Sequence, residues 1–258
     1  METDPNLEIW EEEPPLGIAG GSEEKTAAPI IGTLSEGSLH QAIKNYYQPD
    51  ASFQEQKVGK FVADIYDANG ITEIQTGNFS SLREKLPCYA ELGIPTRVVY
   101  PLRIKKKLIW QDPRGNFLSE SSGRKEHILH FLEELWQVWK QVDFSHHRFE
   151  ILLVSVSEIR VRYPNRAYGK RKRLDSRLEE VLGSVSVASV SDLLSLLPSD
   201  LLDPFSVKEL EKTAKVSHQT ANRAVLCLRS LGALHFAGKD KNAYLYAKNP
   251  EYLSKAEE

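Results

Sequence analysis

Asp64, Glu73 and Gln75 are the residues whose types and spacing suggest chemistry. Asp64 stands in Phe-Val-Ala-Asp-Ile, and Glu73 and Gln75 in Ile-Thr-Glu-Ile-Gln, two short segments that alternate like strands. The turn Asp67-Ala68-Asn69-Gly70 between them closes a hairpin that can set Asp64 close to Glu73. Two carboxylates in otherwise apolar strands are unfavourable unless something neutralises them. A hard divalent cation does so, and Mg²⁺ (or Mn²⁺) is the usual choice beside phosphate. Such an ion polarises a phosphoryl oxygen and lowers the pKa of an attacking water. The competing reading is an exposed strand face, on which the two acids pair with Lys57, Lys60, Arg83 or Lys85.

The elements that would position these residues follow from periodicity. Ser35 or Ser38 can cap a helix carrying Leu39, Ala42, Ile43, Tyr46 and Tyr47, which Gln48-Pro49-Asp50 stops. Strands are predicted at 53–58, 61–66 and 71–76, the first two joined through Gly59-Lys60. A helix follows with Phe79, Leu82, Leu86 and Tyr89 on one face, kinked or divided at Pro87. Then come a strand at 96–102, a hairpin about Asp112-Pro113-Arg114-Gly115, a polar loop at 120–125, a helix over 126–142 and a strand over 149–161. Trp136 and Trp139 read as core.

This order, with Asp on a hairpin, Glu-x-Gln on the next strand, then helix and strand, resembles the PD-(D/E)XK nuclease core, the restriction-endonuclease-like fold, over about residues 35–110. The resemblance implies that Asp64 and Glu73 are metal ligands, joined by Glu36 from the first helix. Gln75 would take the position usually held by a water-activating Lys, and His40 would lie near the site or a phosphate. Ala63 replaces the motif's Pro, a common variation. Gln75 is the larger departure, because it carries no positive charge; a minority of members with Glu-x-Gln are active. Lys85, on the following helix, would supply the missing cation if that helix faces the site.

Near the C-terminus, Ser206 and Glu209 form a capping box, Lys215-Val216-Ser217 makes a short turn, and Ser217 opens a second helix. Segments 234–237 and 243–247 then form a hairpin with a basic tip. Residues 188–248 resemble a winged helix-turn-helix. That resemblance puts Ser217, His218, Gln219, Thr220, Asn222 and Arg223 on a recognition helix and Lys239 and Lys241 in the wing. Winged helices also serve as protein-interaction modules. The layout of nuclease-like core followed by winged helix is similar to an uncharacterised group of bacterial proteins.

Composition sets the remaining bounds. The chain of 258 residues has 33 basic and 36 acidic side chains, a formal charge of −3, and 41% hydrophobic residues. That balance hides an asymmetry. Residues 1–30 hold eight acids against Lys25, a net −7, which leaves +4 on the remainder. Arg160, Arg162, Arg166, Lys170, Arg171, Lys172 and Arg173 form a run with no acid between them. It reads either as a solvated linker or as a DNA-binding segment, in which Lys170–Arg173 take part. No apolar stretch nears the roughly 18 residues of a membrane span, and the acidic start resembles no targeting peptide. Cys88 and Cys227 have no metal-type spacing, His146-His147 lacks partners for zinc, and neither a phosphate-binding Gly-rich loop nor a GxSxG elbow is present.

The expectation is an α/β (α+β) cytoplasmic protein with a restriction-endonuclease-like mixed sheet flanked by helices, plus a small winged-helix domain. Residues 1–33 read as an acidic flexible arm, 34–162 as the nuclease-like domain, 163–187 as a basic linker and helix (helical at 174–182), and 188–250 as the winged helix. The expected function is metal-dependent cleavage of DNA, duplex favoured, with a homodimer as one way to cut both strands. The alternatives are an inactive DNA-binding or regulatory protein that keeps the fold, or a protein-interaction module.

Overall fold

Residues 37–163 and 172–253 are described by the computed structural model, and they begin with helix α1 (Ser38–Tyr47). Leu39 and Ile43, one turn apart, are buried. Ser38 is the first helical residue rather than the cap. Gly37 caps without a side-chain bond, and the Ser38 hydroxyl donates instead to Asp175 at 2.6 Å. Strands β1 (Gln54–Val58) and β2 (Phe61–Asp67) form the first hairpin, turning on Gly59 at φ +59°. The Asp67 carboxylate accepts the Asn69 amide at 2.8 Å and tightens the next turn into β3 (Gly70–Ile74). Gly70, at φ +106°, lies so close to β4 (Thr96–Gln111) that an added Cβ would meet the Pro95 oxygen at 2.2 Å. Glycine therefore lets β3 join β4, to which the Ile71 amide donates through that same oxygen.

The sheet runs β1-β2-β3-β4-β6-β7, with β5 (Phe117–Ser122) beside the far half of β4. Strand β6 (His147–Val161) is parallel to β4, and β7 (Lys172–Val187) returns antiparallel to β6. The sheet is thus mixed. Val99 packs with Leu39, Ile43, Ile65 and Ile74 under α1, while Val98, Tyr100 and Leu102 face a larger cluster with α2 (Leu82–Glu91) and α3 (Leu129–Leu135). Neighbouring strand residues serve opposite layers, as the pleat requires.

The larger cluster does not end with the sheet. It continues through α4 (Val190–Ser195), α5 (Val207–Ala214) and α6 (His218–Ser230), whose Leu193, Leu210, Ala221 and Leu228 are buried in it. The short β8 (Phe205–Ser206) and the hairpin of β9 (Leu234–Asp240) and β10 (Ala243–Lys248) complete a small second sheet. The 34–162 and 188–250 segments therefore share one core rather than standing apart across a linker.

Three elements differ from expectation. The expected loop at 120–125 is strand as far as Ser122, because β5 keeps pairing with β4 through Glu120, Ser121 and Ser122. Residues 174–182 are strand, not helix. Leu174, Leu178 and Leu182 recur every four residues, a spacing that satisfies a strand as well as a helix. The register against β6 leaves Leu174, Glu179 and Leu182 as extra, bulged residues. The Val181–Val187 stretch, with Val or Gly at each odd position and Leu or Ser between, carries the strand signal. Helix α3 covers only Leu129–Leu135 of the expected 126–142. The chain then tightens into i,i+3 bonds such as Val138 to Leu135, so Leu129, Leu132, Leu135 and Val138 all remain fully buried at a spacing of three. Pro87 lies inside α2, and the division falls earlier, at a 3-10 turn over Phe79–Ser81.

Candidate active site

The β2–β3 ladder ends at Ile65–Thr72, and continuing that register by one residue sets Asp64 opposite Glu73. Here a side chain replaces the backbone. Asp64 Oδ2 accepts the Ile74 amide at 2.7 Å and lies 3.1 Å from His40 Nε2 of α1. Glu73 is fully buried. Helix α2 supplies its partners: Lys85 Nζ donates to both carboxylate oxygens at 2.8 Å, and the Tyr89 hydroxyl donates to Oε1 at 2.9 Å. Lys85 and Tyr89 are four residues apart, one turn of the same helix face. Lys85 also donates to the Val62 carbonyl at 2.8 Å, which ties α2 to β2. The exposed strand face of the competing reading is thereby contradicted, while one of the ion pairs it named, Glu73 with Lys85, is present. Lys60 pairs with Glu84 on the surface, and Lys85 is the cation that reaches Glu73.

The two carboxyls are pushed apart electrostatically. Burial, reinforced by the charge of Asp64, raises Glu73 to about 7 despite Lys85 and Tyr89. Burial also acts to raise Asp64, but the hydrogen bond and charge of His40, the Ile74 amide and the charge of Lys85 outweigh it and hold Asp64 below the usual carboxylate range. Gln75 is partly buried, and its Oε1 accepts from the Ser81 hydroxyl at 3.1 Å. The result is one firmly ionised acid beside one poised to exchange a proton near neutrality.

Among the described residues no group of three or more His, Cys, Asp or Glu is arranged to hold a metal ion. Glu36, the expected third ligand, lies outside the described residues, as do Lys170, Arg171 and the side chain of Lys172. Arg173 is exposed on β7, opposite Arg160.

The DNA-reading residues expected on α6 fall into two groups. Ser217, His218 and Asn222 are exposed, Ser217 capping the helix through the Thr220 amide and His218 lying 2.9 Å from Glu211. Gln219, itself exposed, together with Thr220 and Arg223 converges on Glu133 of α3, at 2.9, 3.0 and 2.8 Å. Thr220 is buried, so its assignment to DNA contact is corrected: its hydroxyl serves the α3–α6 junction. Glu133 was not legible as a partner, because the contact spans almost ninety residues. Lys239 and Lys241 are exposed on the β9–β10 hairpin, Lys239 resting over the Tyr244 ring at 4.8 Å.

The Glu133 junction gives a first test. Glu133→Ala removes three acceptor contacts, leaving the buried Thr220 hydroxyl only its bond to Ser217, so an unfolding free energy lower by about 1–3 kcal/mol is expected, with Glu133→Gln in between. An unchanged urea midpoint for Glu133→Ala would show that the apolar packing of α6 alone holds the junction.

These elements define a mixed α/β protein with a carboxylate pair on β2 and β3, Glu73 buried and Asp64 half-buried, bracketed by His40 and Lys85. The chain belongs to the family described as domain of unknown function DUF8091, whose match covers residues 37–188. That span ends where β7 ends and includes the whole seven-stranded sheet with the carboxylate pair. The chain is also similar to an uncharacterized protein of Treponema pallidum (strain Nichols), 26% identical over 225 residues, spanning 85% of this chain and 88% of that one. No solved structure matches the chain. No helix among the described residues is long and apolar enough to cross a membrane.

Proposed function

We propose that this protein hydrolyses phosphodiester bonds in DNA with a divalent cation, Mg²⁺ or Mn²⁺, on a restriction-endonuclease-like core. The observation that carries the reading is Asp64 opposite Glu73 on adjacent strands, with His40 on the first and Lys85 on the second. The donor set suits the ion. Both oxygens offered are hard carboxylate donors, and among the described residues the bonds to Asp64 fall on Oδ2. Mg²⁺ is commonly bound through one or two carboxylates and completes its shell with water and substrate phosphate. When bound, it would polarise a phosphoryl oxygen and make a coordinated water a better nucleophile.

The chain's own residues have separate parts. Asp64 and Glu73 would hold the ion, with Asp64 orientated by His40 and the Ile74 amide. Lys85 supplies the positive charge that Gln75 lacks, and Gln75, steadied by Ser81, can orient water without charging it. The α5–turn–α6–hairpin order supports a winged helix-turn-helix, whose duplex contacts would come from the exposed Ser217, His218 and Asn222 and from Lys239 and Lys241.

A second reading, a DNA-binding or regulatory protein without turnover, is favoured by one observation: Lys85 already occupies both oxygens of Glu73. Supercoiled plasmid and linear duplex incubated with the purified chain separate the two. Nicking or linearisation with Mg²⁺ or Mn²⁺, stopped by EDTA, is the expected result. Intact DNA in both metals, with duplex binding retained, establishes the second reading.

A further inference from the structure

A cavity of about 390 Å³ opens one residue past Gln75, walled by Thr76, Gly77 and Asn78 on one side and by β4, the segment after β5, and α3 on the others. Its lining is cationic. Arg103, Lys106, Arg124 and Lys125 face only Glu126 and Glu134, a net of +2. The geometry has a specific cause. Arg103 pairs with Val154 and Lys105 with Ser155, so Ile104 is an extra residue in β4. Such a bulge reverses the alternation, which brings Arg103 and Lys106 onto one face of a strand that would otherwise separate them.

Arg103 is held as a fixed donor. Its side chain is 12% exposed, Nη1 donates to Glu126 at 3.0 Å, and Nη2 donates to the Thr76 carbonyl at 3.0 Å. Its Nε is buried with no hydrogen-bond partner among the described residues. That nitrogen is shut off from the cavity, but the guanidinium carries five N–H donors, and the bonds to Glu126 and the Thr76 carbonyl use two of them, so it keeps donor capacity for an anion. Lys106 lies 3.7 Å from both Glu126 and the buried Glu158, which leaves Arg124 and Lys125, both exposed at the rim, as the charges that no ion pair among the described residues balances. A planar, buried guanidinium backed by flexible ammonium groups matches a phosphate, with its several acceptor oxygens and one to two negative charges.

We propose that this cavity is a phosphate-binding site that seats one phosphate group of a nucleic-acid strand beside Gln75. That a nucleic acid carries the phosphate rests on the function proposed above; the phosphate chemistry does not. The phosphate is either the terminal monoester of a strand end or an internal diester.

The experiment measures binding of a 3′-labelled oligonucleotide duplex by fluorescence anisotropy in EDTA, where no cleavage occurs, with inorganic phosphate as competitor against chloride at equal ionic strength. The expected result is displacement by millimolar phosphate well beyond that by chloride. Arg124→Ala combined with Lys125→Ala, both at exposed positions, is expected to bind about tenfold more weakly, to lower the slope of log affinity against log salt by about 2, and to lose the phosphate-specific displacement. A 5′-phosphorylated duplex that binds more tightly than its 5′-hydroxyl counterpart identifies the strand end as the source, and equal binding identifies an internal diester. Displacement by phosphate no better than by chloride, displacement that survives in the double variant, or no binding of either duplex overturns the proposal. Because the assay contains no metal, a chain that passes it and cleaves nothing would retain the cavity and lose the nuclease, and a chain that cleaves but fails it would do the reverse.

Discussion

Replacing Lys85 with alanine is expected to destabilise the protein by about 1–2 kcal/mol more at pH 8 than near pH 4.5, because it removes the cation that lets a buried carboxyl ionise. Glu73 is fully buried, and Lys85 is the only cation bonded to it among the described residues. Glu73 already lies above its ordinary value, raised by burial and then by Asp64 to about 7. A folded-state carboxyl raised above its unfolded value contributes stability that is fully present below the unfolded pKa and is lost as pH rises through the folded one. Removing Lys85, which acts to lower Glu73, moves the folded value further up and extends that loss to higher pH. Urea midpoints of the native protein and Lys85→Ala should therefore fall together from pH 4.5 to about pH 7 and diverge above it, where Glu73 ionises in the native protein alone. Parallel curves would show that Glu73 is neutral in both proteins and that the Lys85 contact is a simple hydrogen bond.

Asp64→Asn is expected to abolish cleavage, by roughly 10³-fold or more, while the fold persists. The loss corresponds to about 4 kcal/mol of transition-state stabilisation, in the range that a metal ion acting on a phosphoryl oxygen supplies. Asparagine keeps an oxygen that can accept the Ile74 amide, so β2 and β3 remain joined at this point. It also removes the charge that, after burial, does most to raise Glu73, whose carboxyl should move back towards its ordinary range. Circular dichroism and the cleavage rate measured on the same preparation check both halves. A variant that cuts at the native rate would exclude Asp64 from the chemistry.

Much of this site could be anticipated because its parts are local. The Asp67–Gly70 turn sets the register that brings Asp64 opposite Glu73, and the one-turn spacing of Lys85 and Tyr89 puts two donors on one helix face. The Ser206–Glu209 capping box is present as the residue types required, with Ser206 accepting from the Glu209 amide and its own amide donating to Glu209. Burial was the missing quantity. Only the docking of α2 decides between a sealed Glu73 and an exposed strand face, and that docking involves residues from distant segments. Strand β7 escaped for a related reason, since its pairing with β6 is non-local and a four-residue leucine spacing fits either period. Residues 120–125 read only as a polar loop, because the bulge at Ile104 that gathers the cavity's charges leaves no mark in residue type. Glu133 was hidden in the same way, being an ordinary surface acid until α6 is laid against α3.

The measurement that bears most directly on the carboxylate pair is a calorimetric titration of Mn²⁺ into the native protein and into Asp64→Asn at pH 8. One ion bound per chain by the native protein, and none by the variant, is the predicted result. No binding by the native chain, or equal binding by both proteins, would contradict a metal centre at Asp64 and Glu73 and with it the phosphodiesterase reading.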